Sequence, residues 1–147
     1  MTPQVEPTPT GMTFRCKVGA DPFAVRATLA ALMQSAPVAG LDAERCEIAE
    51  QVLAEVLNNV AEHAYAGGTG DITVTLWRCP AGLSCLIVDQ GRAMPDGRLP
   101  PGLLPDAANV ALSDLPEGGF GWHLIRTLTA DLHYVRDQGQ NRLSFLI

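Results

Sequence analysis

No basic cluster, no metal-spaced cysteine pair and no membrane-length apolar run occurs in this sequence, and each absence removes a class of function. The ten Lys and Arg residues are scattered and outnumbered by sixteen Asp and Glu, for a formal net charge of −6. A nucleic-acid partner selects for a clustered basic face, so no direct nucleic-acid binding is expected. The overall acidity stays compatible with a small local phosphate site. Cys16, Cys46, Cys79 and Cys85 form no CxxC motif and have no His at zinc-ligand spacing. A pair of disulfides remains open from the sequence, but 147 residues need no covalent staples, and reduced thiols are the default. No apolar run approaches the ~20 residues of a membrane span, and the N-terminus lacks a charged-then-apolar signal pattern. No membrane partner is therefore expected, and the compartment expected is the cytoplasm. What is present is a globular composition, 47% apolar and 18% charged, with length enough for one domain and a substantial core.

The first eleven residues, "MTPQVEPTPTG", hold little to bury and predict a flexible tail, leaving 12–147 as the domain. "MTFRCKV" alternates as a strand. Asp21 reads as an N-cap with Pro22 at the first helical position, opening a helix to about Gln34 that "SAPVAG" breaks. A second helix starts near Leu41 with Asp42 as its cap and runs to Tyr65, where "AGGTG" stops it. Strands "DITVTLWR" and "LSCLIVD" follow, joined by "CPAG". Gln90 to about Glu117 is a low-order segment with five prolines, and a third helix spans roughly Trp122 to Thr129. "LHYVR" and "RLSFLI" close the chain as a hairpin around "DQGQN". This order predicts an α+β fold: a two-layer sandwich whose mixed, mostly antiparallel sheet carries helices on one face.

The second helix is unusual. Projected at ~100° per residue, Ile48, Ala49, Val52, Leu53, Val56, Leu57, Val60 and Ala64 fill one arc, and Glu47, Gln51, Asn58 and Glu62 the opposite side. Glu55 falls at the margin of the apolar arc, and Asn59 and His63 fall within it. Burying such groups costs a few kcal/mol each unless something bonds them. They either cap neighbouring loops from inside or form a polar seam where a pocket opens. A carboxylate beside an amide suits hard-metal chemistry, since the amide oxygen is a neutral ligand and the carboxylate holds or deprotonates a water. Magnesium, and with it a phosphate ligand, fits better than zinc.

Two glycine-bearing segments add to this. In "LIVDQGRAMP", Asp89 ends an apolar strand just before Gly91. It can accept a hydrogen bond from a ligand amine such as that of adenine, or simply form a turn. In "EGGFGWHLIR", Gly118, Gly119 and Gly121 precede a helix start, where backbone N–H groups approach an anion closely or the chain hinges. No Lys follows, so it is not a Walker motif, and no strand leads directly into it.

In this order the three segments resemble the GHKL ATPases, which share the Bergerat ATP-binding fold. "EVLNN" is similar to the N box, "DQG" to the first glycine box and "GGFG" to the second. Within that superfamily the chain most resembles the short bacterial anti-sigma-factor serine/threonine kinases: "AEVLNNVAEHAY" is similar to their "SEALTNAIEHAY" pattern. The resemblance implies ATP and Mg²⁺ as cofactors, with Asn59 ligating the metal and Glu55 as general base. It implies that Asp89 reads the adenine amine, and that Gly91 lets the base sit against the strand. Gly118, Gly119, Gly121 and Trp122 would hold the nucleotide at the helix start. The ATP lid would run from about 96 to 117, and Arg26 would face a protein partner. The partners implied are an anti-anti-sigma (STAS-type) protein and a sigma factor, with a possible homodimer. Two departures stand out. The first glycine box continues as Arg92, Ala93, Met94, Pro95, and "DLPEGG" lacks the arginine that several relatives carry before the second box. An intact Glu55 favours a kinase; the missing arginine favours an ATP-gated binding module without phosphoryl transfer. A sensor-kinase fragment acting on histidine is a third reading, disfavoured by the lack of a dimerisation helix carrying a phospho-acceptor and by the stand-alone length.

Overall fold

The computed structural model describes residues 13–66, 70–102 and 119–147. The expected tail, Gly118 and the lid from 103 onward lie outside the described residues. The chain runs β1 (Thr13–Gly19), α1 (Pro22–Gln34), a one-turn α2 (Ala36–Ala39), α3 (Ala43–Asn59), a π-helical turn (Val60–Ala64), β2 (Asp71–Cys79) and β3 (Gly82–Asp89). A 3₁₀ turn (Pro95–Gly97), α4 (Gly119–Leu128), β4 (Ala130–Asp137) and β5 (Gln140–Leu146) complete it.

Local chemistry accounts for most of these boundaries. Asp21 accepts from the Ala24 N–H at 2.9 Å and Asp42 from the Arg45 N–H at 2.8 Å, so both expected N-caps bond donors that a helix start leaves unpaired. The Ser35 hydroxyl donates to the Leu32 carbonyl at 2.6 Å, and Pro37 is buried in the short α2, so "SAPVAG" is a helical corner. Gln138 and Gly139 both have positive φ, 48° and 79°, the two-residue turn that matches strand twist. That turn sets the register that puts Asn141 opposite Arg136 on β4, and β5 in turn pairs Asn141 with Asp89 on β3.

The five strands lie in the order β1-β2-β3-β5-β4, with α3 packed between α1 and α4. The α+β architecture is as the sequence predicts, but all four ladders are antiparallel, with no mixed pairing. The connections explain it. A single crossover helix returns a chain parallel, whereas β1 and β2 are separated by two long helices, and the other neighbours are hairpins or lie across one. The core lies between this sheet and α3: Val52, Leu53, Val56 and Leu57 meet Ile72, Val74, Leu76, Leu83 and Ile87, closed by Leu32 and Ile125.

Two elements depart from the periodicity. The Tyr65 N–H reaches back to the Val60 carbonyl, an i→i+5 bond, so the last turn of the long helix is π and advances less than 100° per residue. Val60 and Ala61 therefore stay buried, while the His63 side chain turns outward, 62% exposed. Asn59 stays buried and Glu55 half-buried at its edge, while His63, though turned outward, still lines the cavity described below. The second departure is that α4 begins at Gly119, so Gly119 and Gly121 lie within its first turn and not in a preceding loop.

Candidate functional site

Between the inner edge of α3, the π turn and the ends of β3 and β5 lies a cavity of about 520 Å³. Val56, Val60, Ile87 and Leu143 form apolar walls, the 92–95 loop covers one side, and Trp122 of α4 closes another. Apolar walls with few convergent polar groups are the usual form of a small-molecule site.

Asn59 is one of those polar groups. It is 8% exposed, and its Nδ2 has no hydrogen-bond partner among the described residues. A buried amide donor left unpaired costs about 1–3 kcal/mol, so it marks where an acceptor such as a ligand oxygen completes the structure. Glu55 sits one helical turn earlier. A Cβ added to Gly121 would stand 2.6 Å from a Glu55 carboxylate oxygen and 3.7 Å from Asn59 Nδ2. The second glycine segment thus packs against the acid and the amide, and a side chain at 121 would displace the Glu55 carboxylate. Among the described residues no cluster of three or more His, Cys, Asp or Glu could hold a metal. One amide beside one carboxylate is a donor set that suits Mg²⁺ shared with phosphate oxygens and water.

Asp89 is the second buried polar group, 5% exposed. Its Oδ1 accepts from the Gly91 N–H at 2.9 Å and from Asn141 Nδ2 at 2.8 Å. No described donor bonds its Oδ2. Burial pushes the Asp89 carboxyl above the ordinary range, opposed by those two hydrogen bonds and by the Arg136 charge.

These features meet a family description. The model of the histidine kinase-like ATPase domain matches residues 18–147. The chain belongs to that family. It is similar to the serine-protein kinase RsbW of Bacillus cereus, 29% identical over 119 residues, 81% of this chain and 72% of the relative. RsbW of Bacillus mycoides is similar to the same extent. Among solved structures, the chain is similar to that of the RsbU and RsbW domains of a Mycobacterium tuberculosis protein, with TM-score 0.61 at 16% identity over 92% of this chain. It spans 32% of that longer chain, and the likeness shows a shared fold.

Within this histidine kinase-like ATPase domain the first glycine box has a role the sequence did not suggest. The space a Gly91 Cβ would need is filled by the Ala64 backbone carbonyl, and the Arg92 N–H donates to that carbonyl at 2.7 Å. The open side of Gly91 faces the π turn, and the cavity wall passes from Asp89 to Arg92. Gly91→Ala is expected to cost roughly 1–3 kcal/mol in a urea titration, because a backbone-to-backbone contact must open. An unchanged midpoint would show that the turn can yield.

The pH behaviour of Asp89 gives a second expectation. A carboxyl whose folded pKa is raised makes ionisation unfavourable to folding, so that cost is absent below the ordinary carboxylate range and grows toward neutrality. Asp89→Asn should therefore gain in Tm relative to wild type as pH rises from 4 to 7, with the gap closing at acid pH. A gap that widens on acidification would contradict a carboxyl raised by burial.

Trp122, expected to hold the nucleotide, is 5% exposed and lines the cavity. The start of the expected lid is pinned to α4. Arg126 Nε donates to the Pro100 carbonyl at 2.9 Å, and a His123 ring nitrogen lies 3.0 Å from the Gly102 carbonyl. Gly102, at φ 65°, presses against the Trp122–His123 backbone where no Cβ fits. Arg26 is exposed on α1 and takes no part in the cavity lining. All four cysteines are unpaired thiols, and no described helix is long and apolar enough to cross a membrane. Sequence reasoning missed Asn141, Tyr134 and Arg136. Their one signal was the hairpin turn, and their meeting with Asp89 depends on a strand pairing 52 positions apart.

Proposed function

We propose that this chain is a regulatory serine/threonine kinase of the cytoplasm that binds Mg·ATP, phosphorylates an anti-anti-sigma (STAS-type) partner and sequesters a sigma factor. The observation that carries the proposal is the meeting of Glu55, Asn59 and Gly121 beside a cavity that also holds buried Asp89. Asn59 would ligate Mg²⁺, which offsets the charge of the phosphates. Glu55 would take the proton of the attacking hydroxyl during phosphoryl transfer. Gly119 and Gly121 would offer backbone N–H groups of the α4 start to the phosphates, an environment that favours anions. Asp89 would accept the adenine amine. The RsbW relatives, named as serine-protein kinases, support the reaction class. Arg26 would contact the protein partner, and a homodimer belongs to the same proposal.

The test is incubation with γ-labelled ATP and a STAS-type partner, followed by phosphoamino-acid analysis. Labelled phosphoserine or phosphothreonine on the partner is the expected result. ATP-dependent partner binding without label would instead support an ATP-gated binding module. One observation favours that second reading: no Lys or Arg stands between Arg98 and Arg126, so the segment just before the second glycine box has no arginine to neutralise the transferring group.

A further inference from the structure

Asp89 does not stand alone; its position is set by Asn141, which is 5% exposed and uses its whole hydrogen-bonding capacity. The Asn141 Nδ2 donates to Asp89 Oδ1 at 2.8 Å and to the Arg92 carbonyl at 2.8 Å. Its Oδ1 accepts from the Tyr134 hydroxyl at 2.6 Å and from Arg136 Nη1 at 3.0 Å. Two donors and two acceptors are thereby satisfied, leaving nothing for a ligand.

The amide cannot be reversed. A guanidinium only donates, so the atom that Arg136 meets must be the carbonyl oxygen, and the NH₂ must face Asp89. Asp89 Oδ1, already bonded to the Gly91 N–H, is then fully engaged, and Oδ2 is left as an acceptor. The same cluster fixes the loop over the cavity: the Tyr134 hydroxyl accepts from the Met94 N–H at 2.9 Å, and Arg136 Nη1 also donates to the Gly91 carbonyl at 2.6 Å.

We infer that Asn141, clamped by Tyr134 and Arg136, is the positioning residue that presents one Asp89 oxygen to the cavity as a fixed acceptor, selecting a purine with an amino group at C6 over one with an oxo group. The inference rests on the cavity taking a nucleotide, as proposed above. An acceptor held against a 6-oxo group leaves two desolvated acceptors face to face, whereas a 6-amino group donates. Without the clamp, the carboxylate can rotate and use either oxygen, and the loop that walls the cavity loses its tether.

The clamp also bears on protonation. Asp89 is faced by Arg136 from β4, with Arg92 from the loop and His63 from the π turn also lining the cavity. The Asn141 bond is the foremost of the influences that hold its carboxyl down against burial. Removing Asn141 lets the carboxyl protonate at higher pH, and a protonated Asp89 donates where it should accept.

Mg·ATP and Mg·GTP are titrated calorimetrically into wild type, Asn141→Ala, Asn141→Thr and Tyr134→Phe between pH 6 and 8. Wild type is expected to prefer ATP. Asn141→Ala should reduce the ATP-over-GTP ratio about tenfold or more, mostly through weaker ATP binding, and should shift the loss of preference to higher pH. Asn141→Thr, which keeps one side-chain donor, should recover part of both effects, a recovery that a merely structural role would not produce. Tyr134→Phe removes one hydroxyl from the same cluster and should lower the ratio roughly threefold. If Asn141→Ala fails to fold, Tyr134→Phe decides the matter. ATP binding at the wild-type ratio and pH profile in the folded variants would overturn the positioning role and leave the nucleotide site standing. No ATP binding in wild type would overturn both.

Discussion

Asn59→Ala is expected to abolish Mg·ATP binding while leaving the ligand-free fold about as stable as wild type. The two halves of that expectation come from the two ends of one amide, the Nδ2 donor and the Oδ1 that would meet the metal. Among the described residues Asn59 Nδ2 is buried with no partner, and an unsatisfied buried donor costs about 1–3 kcal/mol. Alanine removes that cost and loses side-chain contacts of similar size, so the change in unfolding free energy should stay within roughly 1 kcal/mol. Binding behaves oppositely. Loss of a group that only orients a metal ligand weakens a site 10- to 100-fold, so loss of the ligand itself should raise Kd by about 100-fold or more. A thermal shift assay measures both. At 100 times Kd, Mg·ATP should stabilise wild type by about 2.7 kcal/mol through mass action, and the variant by no more than about 0.4 kcal/mol at the same concentration. A variant that melts far below wild type without nucleotide, or that keeps the nucleotide shift, would refute the reading of Asn59 as an amide awaiting its ligand.

Glu55→Gln should separate binding from chemistry. The substitution keeps the size and the approach of Gly121 to the side chain, and removes the basic oxygen. Positioned proton transfer contributes ~10²–10⁴-fold, so partner phosphorylation should fall by that factor, with ATP affinity and ATP-dependent partner binding near wild type. Single-turnover labelling beside a calorimetric titration gives the two quantities independently. Labelling at the wild-type rate would remove Glu55 from the reaction and shift weight to the binding-module reading. A parallel fall in affinity would show that Glu55 holds the nucleotide instead of acting on the hydroxyl.

How much of this was legible in the sequence depends on how local each signal is. Asp21 and Asp42 announce helix starts because a cap is chosen by bonds within three residues, and both do cap. Asn59 was legible as a polar residue in a buried arc, and Gly121 as part of a cluster at a helix start. Their contact was not, because it depends on how α4 docks on α3. The exposure of His63 was not legible for a related reason: a π turn is specified by packing of the whole segment, and periodicity carries no mark of it. Gly91 was legible as a required glycine, but its close approach to the Ala64 backbone, 27 positions away, was not. Asn141 was invisible as a functional residue. An asparagine after a hairpin turn is ordinary, and only the pairing of β3 with β5 puts it against Asp89.

The strand order carries a consequence for the ribosome. β5 inserts between β3 and β4, so β3 has only one partner until residues 140–146 have left the exit tunnel. Until then, the row of backbone groups on β3 that ends at Asp89 is an open template for pairing with another nascent chain. Nucleotide cannot guard that edge, because the clamp on Asp89 arrives with the same strand that covers it. Growing chains of this domain should therefore depend on chaperones that hold unfinished sheets, and a message truncated before Gln140 should yield insoluble product at any ATP concentration.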